Sequence, residues 1–502
     1  MGEITFFNTI LSRYLLVSKY ADRMNLIHKT IMKRNIFLSC AALLAASVFA
    51  SCYKDDHQPP MVEGGHAGVD FVIDNNKVIT DNFLGFGTQY NNNLYTTRTF
   101  ENDGVSEENL PDLEKKVLAL GSQYVRIFFD KKNWESVSGY NPEYKASFIR
   151  TVELAQKTGA LVNITYWHSS IPEDMGRFAD EIYDLIVNKG LTCVKQVTIQ
   201  NEVNSTKITP DEYRVLYSVF IDRLKELGIR DKIQLVGGDL VQDNQKTWFE
   251  YMSTSMATLL DGYSSHIYWD YWDKVKPVDR LSGVADLLSN MQGQGIKPCY
   301  ITEYGVRGEK SGGAFNNPGY LRGTDTPIGR TNECALRHVT FHINALNYGF
   351  AGLVKWDCYK AKYDNGNQYF PVIGSGTDGY PLYPSYWMTW AFTHSCQPGW
   401  KVLSATSVVS SAHKLCAAMS DGVSNYTIYA QTTATVQTPF VISGIPANKK
   451  FRVLAWNDDL MGGLTELEPV TSDAEGVVRF NVKPDGFITL TTIDFTLPEG
   501  LE

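Results

Sequence analysis

No two cysteines in this chain are spaced as metal ligands. Eight occur among the 502 residues, none in a C-x2-C pair or a comparable arrangement, which argues against a cysteine-held zinc site. Positive charge is also in short supply. Forty-six Lys and Arg against 55 Asp and Glu leave a net charge of −9, the wrong sign for a partner of nucleic-acid phosphates. Past residue 52 no apolar run is long enough to span a bilayer. No Gly-rich phosphate loop follows the first predicted strand, which weighs against a doubly wound nucleotide-binding sheet. What is present is a globular composition, 43% hydrophobic and 20% charged, at a length that implies two domains, one of them large. The 28 Tyr, 24 Phe and 10 Trp suffice to fill large cores and to line a groove besides.

Residues 1–52 read as a leader. Met32-Lys33-Arg34 is a short basic region, and Ile36 to Ala50 is mostly apolar over the length of a signal-peptide core. Residues 1–31 add nothing to that pattern, so Met32 is the expected start. Phe49-Ala50-Ser51-Cys52 resembles the cleavage box of bacterial lipoproteins, which makes Cys52 the lipidated first residue; a plain secretory peptide is the alternative. Lys54-Asp55-Asp56 resembles the acidic surface-export signal of Bacteroidetes lipoproteins. The expected location is the cell envelope, lipid-anchored to the outer membrane, with secretion as the alternative. Residues 53–65 read as a tether. The six later cysteines, Cys193, Cys299, Cys334, Cys358, Cys396 and Cys416, are expected as buried thiols. Export permits a disulfide, but the sequence assigns none, and it leaves the oligomeric state open.

From residue 83 onward strands and helices alternate. Predicted strands are Phe83–Tyr90, Gln123–Phe129, Leu161–Trp167, Val194–Gln200, Lys232–Asp239, Gly262–Tyr268, Pro298–Glu303 and Gly352–Trp356. All are short and rich in apolar or β-branched residues, as strands buried on both faces are. Between them, Thr209-Pro210-Asp211-Glu212 is a capping box that opens a helix. Val215, Leu216, Val219, Leu224 and Leu227 form its apolar stripe, and Gly228 ends it. Asn141-Pro142 opens another helix, which Gly159 ends. Eight such repeats predict an α/β fold, a (β/α)8 TIM barrel over residues 81–396. After Cys396 the chain turns to short strand-like runs separated by turn residues, the pattern of a C-terminal all-β sandwich at 397–502. Residues 66–80 contain a further strand, expected to join that sandwich.

Function in such barrels sits at the C-terminal ends of the strands. The fourth, QVTIQNEVN, stops at Asn201-Glu202, and the seventh, CYITEYG, stops at Glu303. Two carboxyls at one barrel mouth suit cleavage of a glycosidic bond, one protonating the leaving oxygen and the other attacking carbon or activating water. The two must hold different protonation states, and Arg126 in QYVRIFF is placed to keep Glu303 ionised. A lone Glu ending a strand is more often a cap or a salt-bridge partner; here several such residues recur in order.

That order resembles the clan A retaining glycoside hydrolases, over residues 81–396. By this resemblance Glu202 is the acid/base, Glu303 the nucleophile, and Asn201 binds a sugar hydroxyl. Arg126 matches the strand-two arginine near the nucleophile. His266 and Tyr268 of SSHIYWD match the strand-six His-x-Tyr, and Trp356 of VKWDCY matches the strand-eight Trp that floors the sugar site. Many members read Asn-Glu-Pro, whereas Val203 follows here. The barrel-plus-sandwich layout looks like families 30 and 39. The resemblance implies a carbohydrate substrate, no metal and no organic cofactor.

Around the mouth, His168 ends strand three, Trp269, Tyr271 and Trp272 follow strand six, and Tyr90-Asn91-Asn92 follows strand one. Aromatic faces of this kind stack on sugar rings while amides take hydroxyls. Long segments at 305–330 and 358–384 border the mouth. The leading expectation is an exported retaining β-glycoside hydrolase acting on a polysaccharide or oligosaccharide, such as a β-glucan. The alternative is a surface glycan-binding lipoprotein on a glycosidase scaffold.

Overall fold

The computed structural model describes residues 68–501 except 135–139, 168–170, 242–244, 271–276, 291–296, 308–318, 322, 363–369, 409–412 and 457–462. The leader, Cys52, the tether, His168, Tyr271 and Trp272 lie outside the described residues. Everything described belongs to one compact unit, Gly68–Glu502. No helix among the described residues is long and apolar enough to cross a membrane.

Strand β1 (Phe71–Phe83) precedes a closed parallel barrel. The barrel strands, in order, are β2 (Phe86–Tyr90), β3 (Tyr124–Phe129), β4 (Leu161–Tyr166), β5 (Val194–Ile199), β6 (Gln234–Leu240), β7 (Gly262–Asp270), β8 (Cys299–Arg307) and β9 (Leu353–Lys355). These are the eight strands that the sequence predicts, each within a few residues. Every residue of β2 and β3 is buried, which explains why the runs are apolar on both faces. At its lower end the barrel is plugged by Leu84, Tyr124, Val236, Tyr300, Ala351 and Val354. Polar side chains take over above the plug. Tyr124 Oη donates to Gln196 Oε1 at 2.8 Å, and Asn163 Nδ2 donates to Thr198 Oγ1 at 3.1 Å.

The helix at Pro210–Glu226 has the full capping box: Thr209 Oγ1 accepts from the Glu212 amide, and the Glu212 carboxylate accepts from the Thr209 amide at 2.7 Å. Its buried stripe is Tyr213, Leu216, Tyr217, Phe220, Ile221 and Leu224; of the expected aliphatic set Leu216 and Leu224 are buried, Val219 and Leu227 are half-buried against the core, and Val215 is exposed. Tyrosine reads as surface in a hydropathy pattern. Here both hydroxyls find buried partners, Tyr213 Oη accepting from the Gly238 amide at 3.1 Å and Tyr217 Oη donating to the Val236 carbonyl at 2.5 Å.

Beyond the barrel, β10 (Trp400–Ser407), β11 (Lys414–Ser420), β12 (Tyr426–Thr432), β13 (Thr438–Ser443), β14 (Lys450–Trp456), β15 (Thr465–Thr471), β16 (Val478–Val482) and β17 (Phe487–Thr491) join β1 in one nine-stranded sheet, ordered β15-β14-β17-β12-β11-β10-β1-β13-β16. The sheet curls until its end strands β15 and β16 meet, enclosing a core that includes Phe71, Ile73, Phe440, Phe451, Val478 and Leu490. β1 pairs antiparallel with β10 and parallel with β13. β15 escapes the sequence pattern because, as an edge strand, it buries almost nothing and carries Pro469. The helix at Asn332–Asn347 joins sheet to barrel: Thr340 Oγ1 donates to Gln431 Oε1 at 2.9 Å and Asn347 Nδ2 to the Cys416 carbonyl at 2.9 Å. The six described cysteines are free thiols, all buried except the half-buried Cys193.

Candidate active site

The strand ends carry unusual backbone. Gln200, Glu202 and Asp239 have φ of 64°, 48° and 49°, a left-handed conformation that costs a non-glycine residue about 1–2 kcal/mol. Such outliers persist only where surrounding structure holds them, and they concentrate at functional sites. Here the Asn201 amide donates to the Tyr166 carbonyl, and the Ser205 amide donates to the Glu202 carbonyl at 2.8 Å, fixing the turn that points Glu202 into the mouth.

Arg126, fully buried on β3, organises the floor. Its Nη1 donates to Glu303 Oε2 at 2.9 Å; Nη2 donates to Asn201 Oδ1 and Asp239 Oδ2, both at 2.6 Å; Nε donates to Thr165 Oγ1 at 2.8 Å. Asp239, at the end of β6, is held further by Ser264 Oγ at 2.8 Å and Thr302 Oγ1 at 2.5 Å. Burial alone would raise its carboxyl, but Arg126 and His266 hold it far below the usual carboxylate range.

Glu303 is 1% exposed. Tyr268 Oη donates to its Oε1 at 2.5 Å, opposite the Arg126 bond to Oε2. Burial leaves the Glu303 carboxyl above the ordinary carboxylate value, although His266 and Arg126 pull it down; the donors on its two oxygens are what favour the ionised form. Two donors, one on each oxygen, are the surroundings of a carboxylate rather than of an acid. Gly305 permits this geometry, since a Cβ there would come within 2.9 Å of the Tyr268 ring and 3.2 Å of the Phe370 ring.

Glu202 is more open, its side chain 19% exposed, and His266 Nδ1 lies 3.1 Å from its Oε1. His266 Nδ1 also lies 3.7 Å from Glu303 Oε2, and its Nε2 lies 3.6 Å from Asp239 Oδ1, too long for a good hydrogen bond. Burial alone would lower the imidazole pKa. The carboxylates of Glu303 and Asp239 outweigh it and raise it to about 9, so His266 is a cation at neutral pH. A ligand atom from each of Glu202, His266 and Glu303 falls within 4.8 Å of the others. Of the described residues, only this trio could bridge a metal ion, and the Arg126 guanidinium beside Glu303 opposes a second cation.

Seven of the expected site residues, Arg126, Asn201, Glu202, His266, Tyr268, Glu303 and Trp356, therefore meet at one barrel mouth. Trp356 packs with Phe128 and Phe370, against Trp167 and Tyr268, as an apolar wall. Trp269 lies on β7 beside Tyr268, its side chain outside the described set. Tyr90 and Asn91 prove to be packing: Tyr90 is in the core, and Asn91 Nδ2 donates to the Ala361 carbonyl at 3.1 Å. Asp239 is the residue that the sequence reading missed. Its signal was available, because LVGGDL also runs apolar into a carboxylate at a strand end.

No family model matches the chain, and no curated protein matches it by sequence. Solved structures do. A conserved exported protein from Bacteroides fragilis superposes with a TM-score of 0.63 at 11% identity, over 85% of this chain and 100% of that one. A family 30 endoxylanase from Clostridium papyrosolvens C71 gives 0.58 at 13% identity, over 85% and 100%. An endo-β1,6-glucanase gives 0.60 at 11% identity, over 85% and 94%. The fold is the one these solved structures share, a (β/α)8 barrel with an attached β-sheet domain. Identity at this level speaks for the fold; the chemistry has to come from the site.

Proposed function

We propose that the protein is a retaining β-glycoside hydrolase that cleaves a polysaccharide or oligosaccharide by double displacement. One observation carries the reading: carboxyl oxygens of Glu202 and Glu303, on the fourth and seventh barrel strands, share a 4.8 Å cluster. So close an approach favours the retaining arrangement, with carboxyls about 5–5.5 Å apart, over the roughly 6.5–9.5 Å that admits a water between them.

In this reading Glu303, buried and held by Arg126 and Tyr268, attacks the anomeric carbon. Glu202 protonates the departing oxygen, then takes a proton from the water that releases the glycosyl-enzyme. Burial and hydrogen bonding support the division of labour. Glu303 is buried with a donor on each oxygen, whereas Glu202 is the more exposed carboxyl and the one open to a leaving oxygen and to water. Asn201, its Oδ1 held by Arg126, offers its amide nitrogen to a sugar hydroxyl, and Trp356 supplies an apolar face. A β-glucan is the substrate class proposed first. The 32–52 pattern and the likeness to an exported protein support export, with Cys52 as the proposed lipid anchor.

The test incubates protein lacking residues 1–52 with β-linked polysaccharides and aryl β-glycosides, with Glu303→Gln as the control. Turnover by the wild type and its loss in a folded Glu303→Gln protein is the expected result; equal activity in both refutes the assignment.

A further inference from the structure

Two buried polar side chains at the barrel mouth have no task in this chemistry. Gln89 ends nearly at the close of β2, and Asp357 follows β9, the strand paired with β2. The two come from neighbouring strand ends, since the Cys358 amide donates to the Gln89 carbonyl at 2.9 Å. Gln89 Oε1 accepts from Arg126 Nη1 at 3.2 Å, which places its amide beside the guanidinium that holds Glu303. Its Nε2 has no hydrogen-bond partner among the described residues, and neither does either carboxyl oxygen of Asp357. Both side chains are fully buried. Lys355 does not serve Asp357, because its Nζ donates to the Trp356 and Phe370 carbonyls at 3.0 and 2.6 Å. Native proteins pair nearly all buried polar atoms, so an idle donor and two idle acceptors on adjacent strand ends call for a partner from outside the chain.

We propose that Gln89 and Asp357 together bind one hydroxyl group of the sugar that reacts at Glu303, and so determine which sugar the site accepts. The inference rests on the hydrolase reading above. A hydroxyl both donates and accepts, and the pair offers what it lacks: an amide N–H to donate and a carboxyl oxygen to accept. The terminal torsions of Gln and Asp are broad, so both groups re-aim without moving backbone. The location fits, since Trp356, the residue before Asp357, forms the apolar wall with Phe370 and Tyr268, and Asp357 is within electrostatic reach of Glu303 and the Tyr268 hydroxyl. Burial holds the Asp357 carboxyl well above the usual carboxylate range, as suits a group that meets a neutral hydroxyl.

The experiment assays wild type, Asp357→Asn, Asp357→Ala and Gln89→Met on aryl β-glycosides that differ by one hydroxyl, gluco, galacto, manno and xylo, with Glu303→Gln as the turnover control. Circular dichroism checks folding, and Asp357→Asn keeps the side-chain shape should Asp357→Ala fail to fold. The expected result is a loss of at least about 100-fold in kcat/KM on the preferred sugar, with much less on the sugar that lacks or inverts the recognised hydroxyl, so the wild-type ranking flattens. Proportional loss on all sugars, or an unchanged ranking, overturns the proposal. Should the wild type turn over none of them, the hydrolase reading fails separately, and the same proteins are compared by the melting shift that each free sugar produces. A shift that discriminates among sugars in the wild type and vanishes in the variants keeps the hydroxyl pair; a shift that is equal in all, or absent, overturns it.

Discussion

Replacing His266 by Gln should destabilise the protein much more at pH 6 than at pH 10. The folded imidazole titrates near 9, against 6.5 for an ordinary histidine. A cation whose folded pKa is raised adds stability that is fully present below the unfolded pKa and disappears as pH climbs through the folded one. For His266 the window is therefore 6.5 to about 9. At about 1.4 kcal/mol per pH unit, that gap is worth about 3 kcal/mol. The structural source is the trio of carboxyls around the ring: Glu202 at 3.1 Å, Asp239 at 3.6 Å and Glu303 at 3.7 Å. The assay is urea unfolding of wild type and His266→Gln at several pH values between about 6 and 10. Subtracting the variant removes every other titrating group that behaves alike in the two proteins. The difference between the proteins should shrink by about 3 kcal/mol from the low to the high end. A difference that stays flat across the range would refute a charged His266 among the three carboxyls.

Arg126→Met should cost about 3–5 kcal/mol, because it strands Asp239 and Glu303 as buried carboxylates; a melting temperature close to wild type would show that the pairing does not hold the mouth together. Gly305→Ala should push Tyr268 off Glu303 and lower kcat with little change in KM, and unchanged steady-state kinetics would contradict the close approach. Thr209→Ala should cost about 1 kcal/mol through the lost cap, read by urea midpoint, and leave the proposed glycoside turnover alone.

Much of this was legible in the sequence, for a stated reason. Strands buried on both faces must be continuous apolar runs, so the eight barrel strands announce themselves, and a carboxylate closing such a run, as in Glu202 and Glu303, stands out against it. Capping chemistry is local, so Thr209 and Glu212 were readable too. What escaped depends on distance in space. Asp239 carries the same strand-end mark, but its meaning lies in Arg126, 113 positions away. The tyrosines of the Pro210–Glu226 helix look like surface until Val236 and Gly238 give their hydroxyls partners. Gln89 and Asp357 stand out only for what they fail to touch, which no linear pattern records. β15 buries too little to leave a period.

The central claim is that Glu303 forms a bond to the sugar. Proton NMR of the first product released from an aryl β-glycoside tests it directly, read before the free sugar equilibrates. The account predicts the β anomer, set by two displacements at one carbon. Release of the α anomer would mean a single displacement by water and would contradict it.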